Sequence, residues 1–292
     1  MNLNLSVQIF EHGGQEMVSI GKHLVKSKKS KQRSEITSFY VVQKLIKKSI
    51  VLIVLALIWE IAPRIGIVDR AFFPALTEVF GAWWEMIASG ELWNHFSASI
   101  KRSTIGFILA LVIAIPLGLL IGWYPLARDL LNPAFEVFRN TATLALLPVF
   151  MLLLGIGEIS KVSIVFYACT FPILLNTIAA VKNVDPLLIK SASSMNVSSI
   201  KLFTKVILPA SVPTMFTGIR MAGTGCILVL IAAEMIGAKE GLGYFITYAQ
   251  YNFLIPEMYA GILSISVLGL FVNFGLGKLE KRFSRWKPNP NE

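Results

Sequence analysis

The sequence predicts an all-α membrane protein with about six transmembrane helices. Three observations carry that prediction: a shortage of charge, a set of apolar runs of membrane-spanning length, and the side on which the cations fall. Of the 292 residues, 55% are hydrophobic and only 15% are charged. A soluble domain of this size carries about a quarter charged residues, so this chain is built for a solvent other than water. The formal net charge of +10 would suit nucleic acid if it lay on a globular surface. It lies instead between and beside apolar runs, where it sets orientation in a bilayer, and no nucleic-acid partner is expected.

Residues 1–49 form a polar tail in which Lys22, Lys26, Lys28, Lys29, Lys31 and Arg33 lie close together. The first apolar run begins only near Ile50, later than the core of a secretory signal peptide would. The tail therefore reads as cytoplasmic and largely disordered. A crossing helix needs roughly 20 apolar residues, and residues 50–283, the expected membrane domain, hold six candidates. They are 50–68 (interrupted by Glu60 and Arg64), 105–123, 141–157, 162–181, 213–237 (with Arg220 and Glu234) and 258–277. The 141–157 run is the shortest and needs flanking residues to snorkel. With the N-terminus inside, 20 Lys and Arg fall on the inner side and six on the outer side, Arg220 lying within the fifth span. That asymmetry places both termini, including the 284–292 tail, in the cytoplasm.

Two outer stretches do not span. Leu76–Phe96 carries Phe80, Trp83, Trp84 and Trp93 with Glu78 and Glu85 between them, the make-up of an interfacial helix. Ala238–Glu257 reads as a second outer segment, partly dipped into the interface. A third non-spanning stretch, the inner loop 182–209, is the most patterned. Asp185 followed by Pro186 starts a helix, and Leu188, Ala192 and Met195 fall on one face. Asn196 sits where that helix must stop, in a left-handed conformation that Asn tolerates. Ser198 or Ser199 then caps a second short helix carrying Ile200 and Phe203, and Pro209 introduces the fifth span.

This loop resembles the cytoplasmic coupling loop of ABC importer permeases of the binding-protein-dependent family. The family pattern runs Glu-Ala-Ala, a Gly, an apolar position, then Leu-Pro. Here Ala192 matches the second Ala, Val206 the apolar position and Leu208-Pro209 the Leu-Pro. Ser191 takes the place of the first Ala, Asn196 that of the Gly, and Lys190 that of the Glu, a reversal of charge. The resemblance extends from about Ile50 to Phe283 and is closest to the nitrate, sulfonate and taurine branch. It rests on stretches such as FFPALTEV, GELWNHFSASIKRSTIGF, LALLPVFMLLLGIGEISK, LFTKVILPASVPTMFTGIRMA and AAEMIGAKEGLGY. Residues 140–143, Asn-Thr-Ala-Thr, stand where that branch has a proline-rich turn.

The resemblance implies a type I ABC importer permease fold. It also implies a separate ATPase subunit docked on the loop, an extracytoplasmic solute-binding protein and a second permease copy. The loop residues it marks for coupling are Lys190, Ser191, Ala192, Met195, Asn196, Ile200, Phe203, Leu208 and Pro209. The solute class it implies is a small anion such as an aliphatic sulfonate, taurine or nitrate.

Polar residues inside apolar spans usually face protein or water, because a charge at mid-membrane costs about 2.5–3.5 kcal/mol on insertion scales. Ser163, Thr170, Asn176 and Thr177 on the fourth span, with Thr224 and Glu234 on the fifth, are the candidates to line a pathway. Each of the neutral ones serves equally as a helix–helix hydrogen bond. Glu234 gates the pathway, caps a loop amide or pairs with a lysine such as Lys239. Arg220 meets headgroups and carbonyls or makes a structural pair. Gly118 and Gly122 allow close helix approach. Pro116, Pro148 and Pro172 are kink sites or tolerated prolines. Cys169 and Cys226 read as small packing residues.

The sequence has no Gly-x-x-x-x-Gly-Lys-Ser/Thr motif, no His or Cys ligand set and no nucleophile–base arrangement. No cofactor, metal or catalytic activity is therefore expected of the chain itself. The alternative to an importer permease is a secondary transporter or channel acting alone, which would place ion sites at mid-membrane on broken helices. An intramembrane enzyme would need a catalytic set that the sequence does not offer.

Overall fold

The computed structural model describes residues 50–283, which contain helices and turns and no strand. The expected basic tail, 1–49, and the tail 284–292 lie outside the described residues. The chain divides into two units after Arg70. In the first, helix α1 covers residues 50–64. Glu60 and Arg64 pair one turn apart on it, so the acid that interrupts the first apolar run has its partner on the same helix.

The second unit opens with α2 (Leu76–Ser89) and α3 (Glu91–Trp123). The single interfacial helix expected over 76–96 is divided by Gly90, whose φ of 81° is cheap only for glycine. Residues 91–96 belong to α3. With 33 residues, α3 is about 50 Å long, so the expected span 105–123 is only its second part. The segment holding Lys101 and Arg102, read from the sequence as an outer loop, is helical as well.

The 141–157 stretch is not one helix. After α4 (Pro125–Asn140), the chain breaks at Thr141 and Ala142, runs through a 3-10 turn (Thr143–Leu146) and enters α5 (Leu147–Leu154). An eight-residue helix rises about 12 Å, too little to cross a bilayer. Pro148 stands in its first turn and Gly155, at φ 81°, ends it. The α4 segment and the Thr143–Leu154 segment are bent by 84° to each other. Hydropathy adds up apolar residues and does not sense such a break.

Helix α6 (Glu158–Lys182) follows, then α7 (Pro186–Ser194) and α8 (Ser199–Leu202). A π turn (Phe203–Ile207) joins α8 to α9 (Leu208–Met235), and the three run on as one 37-residue helix. The second short helix expected in the loop is thus the first turn of the span itself. In the π turn the Leu208 N–H donates to the Phe203 carbonyl, five residues back. Pro209 follows with no N–H and a ring that crowds the carbonyl of Lys205. The widened turn gives that carbonyl room. Then come α10 (Leu242–Tyr251) and α11 (Ile255–Phe283). Leu242, Phe245, Ile246 and Ala249 are buried, so the outer segment expected over 238–257 contains a helix packed on α9 and α11. Among the described residues, four helices are long and apolar enough to cross a membrane, or five if the bent pair counts as one span.

The packing is inverted relative to a soluble protein. Val112, Leu153, Leu228, Leu270, Phe271 and Phe274 are exposed, whereas Arg102, Lys161, Glu234, Ser99 and Thr177 are buried. Only a lipid solvent makes that arrangement favourable. Lipid supplies no hydrophobic force between helices, so cohesion comes from close approach. On α3 a small residue recurs every fourth position: Gly106, Ala110, Ala114, Gly118 and Gly122, all buried. A Cβ on Gly106 would lie 2.7 Å from Val165 Cγ1, one on Gly118 2.7 Å from Thr177 Cβ, and one on Gly122 2.8 Å from Val181 Cβ. These contacts advance together along both chains, so α3 and α6 run parallel. Helix α9 runs the opposite way, with Gly218 against Asn176 and the Cys169 thiol facing the Ala222 carbonyl at 3.8 Å.

Gly118→Leu is expected to force α3 from α6 and cost about 1–3 kcal/mol of stability. Gly225→Ala, where an added Cβ meets nothing within 4 Å, is expected to be tolerated. Thermal unfolding of both variants in detergent or nanodiscs separates them, and equal midpoints would disprove the stripe's role.

Candidate functional site

At the end of the bundle where α3 and α6 begin and α9 ends, one guanidinium gathers four segments. Arg102 is 2% exposed. Its Nε and Nη2 donate to the two oxygens of Glu158 in the first turn of α6, both at 2.6 Å. Its Nη1 donates to Glu234 Oε1 at 2.8 Å and to the Glu240 carbonyl at 2.7 Å. The Glu240 carboxylate lies 3.6 Å from Nη2. A bidentate fork of this kind is available to Arg and not to Lys.

Glu234 is fully buried near the C-terminal end of α9. Besides Arg102 it accepts from the Ser99 hydroxyl, at 2.8–2.9 Å, and from the Gly243 N–H, at 3.1 Å. Ser99 Oγ in turn accepts from the Leu242 N–H at 2.9 Å, and His95 Nδ1 accepts from the Gly241 N–H at 3.2 Å. Of these amides, that of Gly243 in the first turn of α10 points at the carboxylate itself, as a helix N-terminus favours. Glycine is required beside that carboxylate. At Gly241, with φ 120°, a Cβ would lie 2.6 Å from Glu234 Oε2, and at Gly243 one would lie 2.8 Å from Glu234 Cβ. The Glu-x6-Gly-x-Gly spacing in AAEMIGAKEGLGY is a carboxylate and its cradle.

Lys161 completes the cluster, donating to the carbonyls of Gly157 and Gly237 at 3.1 and 3.3 Å. The amide that meets Glu234 is that of Gly243, in the first turn of α10 and not in the loop before it. Lys239, the expected cation, is exposed, and Arg102 holds the acid in its place. The signal for Arg102 is in the sequence: it stands four residues before Gly106, on the same buried stripe of α3.

The neutral pathway candidates make local bonds. Thr170, Asn176 and Thr177 each donate to the carbonyl four residues back, at 2.6–2.8 Å. Asn176 and Thr177 sit at helix crossings, against Gly218 and Gly118, and Thr177 is fully buried. Thr224 donates to the carbonyls of Arg220 and Met221, and Ser163 is partly buried. Arg220 makes a structural pair, with Nε on Asn273 and Nη1 on Glu280, both at 3.0 Å.

The patterned loop lies at the other end of the bundle. Asp185 accepts from the Leu187 N–H at 2.8 Å and caps α7. Asn196 takes φ 56° after α7 ends. Of the face read as apolar knobs, Ala192 is buried while Leu188 and Met195 are exposed, and Ile189 packs inward with Leu202 and Phe203. Ile200 is 78% exposed. Phe203 is held edge-on to Trp123 at 5.2 Å. Lys190, Ser191 and Pro209 are exposed and Leu208 partly so.

Arg102→Gln is expected to leave Glu234 buried without its cation and to cost about 3–5 kcal/mol. Glu158→Gln removes an acid that is already 63% exposed and is expected to cost less. Denaturant or thermal unfolding of the two variants checks the order.

Residues 114–285 match the family described as binding-protein-dependent transport system inner membrane component. The chain is 30% identical over 234 residues to the putative aliphatic sulfonates transport permease protein SsuC of Bacillus subtilis, covering 80% of this chain and 85% of that one. It is 31% identical to the taurine transport system permease protein TauC of Escherichia coli, covering 80% and 87%. It is 32% identical to the nitrate import permease protein NrtB of Leptolyngbya laminosa, covering 66% and 69%. Its fold matches the MetNI methionine ABC transporter in an inward-facing conformation with a TM-score of 0.56 at 16% identity, over 66% of this chain and 98% of that chain. The inverted packing, the close-packed helices and these likenesses together place the chain in the family of binding-protein-dependent transport system inner membrane components, as an ABC importer permease.

Proposed function

We propose that the chain imports a small oxyanion such as an aliphatic sulfonate, taurine or nitrate. It does so with a separate ATPase subunit, an external binding protein and a second copy of itself. The exposed apolar face of the 182–209 loop carries this reading. Leu187, Leu188, Met195 and Ile200 are exposed on a helix–turn–helix whose first helix is capped by Asp185, a poor arrangement for a connector and a good one for a partner's groove. Lys190, exposed beside them, selects a groove with a compensating acid. The cation asymmetry of the sequence puts this loop and both termini in the cytoplasm, where ATP is available. The Arg102 end then faces the binding protein. ATP-driven closure of the ATPases moves the loop, and the π turn and α9 carry that movement into the membrane.

The solute class follows from the sulfonate, taurine and nitrate permeases that the chain resembles. The coupling residues remain Lys190, Ser191, Ala192, Met195, Asn196, Ile200, Phe203, Leu208 and Pro209, with Ile200 the cleanest probe because it is the most exposed with Met195. Ile200→Glu is expected to abolish co-purification of the ATPase while the permease keeps its unfolding midpoint. Wild-type association of that variant would sink the docking role. In sealed vesicles holding permease, ATPase and binding protein, one loaded anion of a panel is expected to stimulate ATP hydrolysis. Uptake by the permease alone, without ATP, would instead establish a stand-alone transporter.

A further inference from the structure

Helix α10 is anchored more firmly than its ten residues suggest. Its first amides are bound into the Arg102–Glu234 cluster, and Leu242, Phe245, Ile246 and Ala249 are buried. Its opposite face carries Tyr244, Tyr248 and Tyr251, at the i, i+4, i+7 spacing that aligns side chains on a helix. Tyr244 and Tyr248 stack at 6.1 Å, and Tyr244 continues onto the His95 ring at 5.9 Å. Tyr248 is 44% exposed and Tyr251 79%. No hydroxyl of the three has a hydrogen-bond partner among the described residues. A rigid row of unpaired O–H donors, on a chain that otherwise turns hydrocarbon outward, faces water or a solute with acceptor atoms.

The chemistry narrows the choice. Of the two cations buried at this end, Arg102 is occupied by Glu158, Glu234 and the Glu240 carbonyl, and Lys161 is turned inward onto two carbonyls. Each is 2% exposed, so neither reaches out to a passing anion. Neutral phenols donate to an oxyanion without the grip of a full charge, and a pathway needs sites that bind weakly enough to release. We propose that Tyr244, Tyr248 and Tyr251 are the outer stretch of the translocation pathway. They hand a small oxyanion along a row of hydroxyl donors held in place by the carboxylate cradle at Glu234. This inference rests on the oxyanion-import reading above.

The test is uptake by the full complex in sealed vesicles, measured with the anion that stimulates the wild type. The double variant Tyr248→Phe/Tyr251→Phe keeps both rings and loses both donors. Uptake per ATP hydrolysed is expected to fall about tenfold, as loss of a hydrogen bond to a charged group implies. An unchanged ratio would overturn the proposal and leave the tyrosines as an interfacial belt. If the double variant unfolds, Tyr251→Cys decides, since Cys169 and Cys226 are buried. Labelling by a water-soluble, membrane-impermeant maleimide, slowed by the anion, supports the pathway, and absence of labelling places the face in lipid or protein. A wild type that takes up no anion with ATP refutes the import reading itself, whereas a wild type that does, with unaffected variants, refutes only the tyrosine row.

Discussion

The guanidinium of Arg102 is the interaction on which the rest of this permease depends. Helices in lipid gain nothing from hiding hydrocarbon from one another, because the solvent is itself hydrocarbon. They need close approach or polar contact, and Arg102 supplies both at one point. It extends the small-residue stripe of α3 by one turn, so it lies against α6 as Gly106 does. From there its fork reaches the start of α6, the end of α9 and the loop leading to α10. Breaking the Glu234 arm strands a fully buried carboxylate that has no water to turn to. The cluster therefore acts as a single knot, and α10 inherits its position from it.

The two ends of the bundle differ in what a displacement costs. At the Arg102 end, movement of α3 against α9 would part a fully buried ion pair. At the loop end the contacts are apolar and partly exposed: Phe203 on Trp123, and Ile189 and Leu202 around the buried trio of Val181, Val184 and Ile207. The backbone there also departs from a regular α-helix. A π turn is followed by Pro209 and Pro213, and neither proline donates a helical hydrogen bond. Displacement at the loop end therefore parts apolar contacts and the partly exposed Arg220–Glu280 pair, and no fully buried ion pair. The fixed geometry belongs to the Arg102 end.

Much of this was legible in the sequence, and the failures share a cause. Apolar runs located α3, α6, α9 and α11 because hydropathy and span length are the same measurement in a bilayer. The start and stop of α7 were legible because Asp185, Pro186 and Asn196 act on the backbone next to them, whereas the side-chain cap expected from Ser198 or Ser199 is not made, since α8 runs on into the span. The third span was misread because its break lies at Thr141 and Ala142, which are no less apolar in composition than a continuous helix allows. Arg102 was counted as a loop charge because hydropathy treats any cation as a wish for water. Only its register with Gly106, four residues on, says otherwise. The partner of Glu234 lies 132 residues away, beyond anything local pattern could pair. The tyrosine row escaped notice because its significance depends on which face of α10 is buried.

The cations of the chain bear on how an anion could cross at all. A free guanidinium 4 Å from an oxyanion, at an effective dielectric of about 20, would hold it by roughly 4 kcal/mol. That slows release about a thousandfold. A hydroxyl donating to a charged group contributes about 1.5 kcal/mol at the low end of its range, which orders a solute without trapping it. Under the proposed import of an oxyanion, the tyrosine row follows the second course. Arg102 and Lys161 are buried and bonded to acceptors, and Arg220 is held by Glu280 and Asn273. With these three cations committed to the scaffold, the face that α10 exposes at the Arg102 end is a row of hydroxyl donors. On the import reading proposed above, tight and selective capture then falls to the external binding protein, and the permease is left to let go.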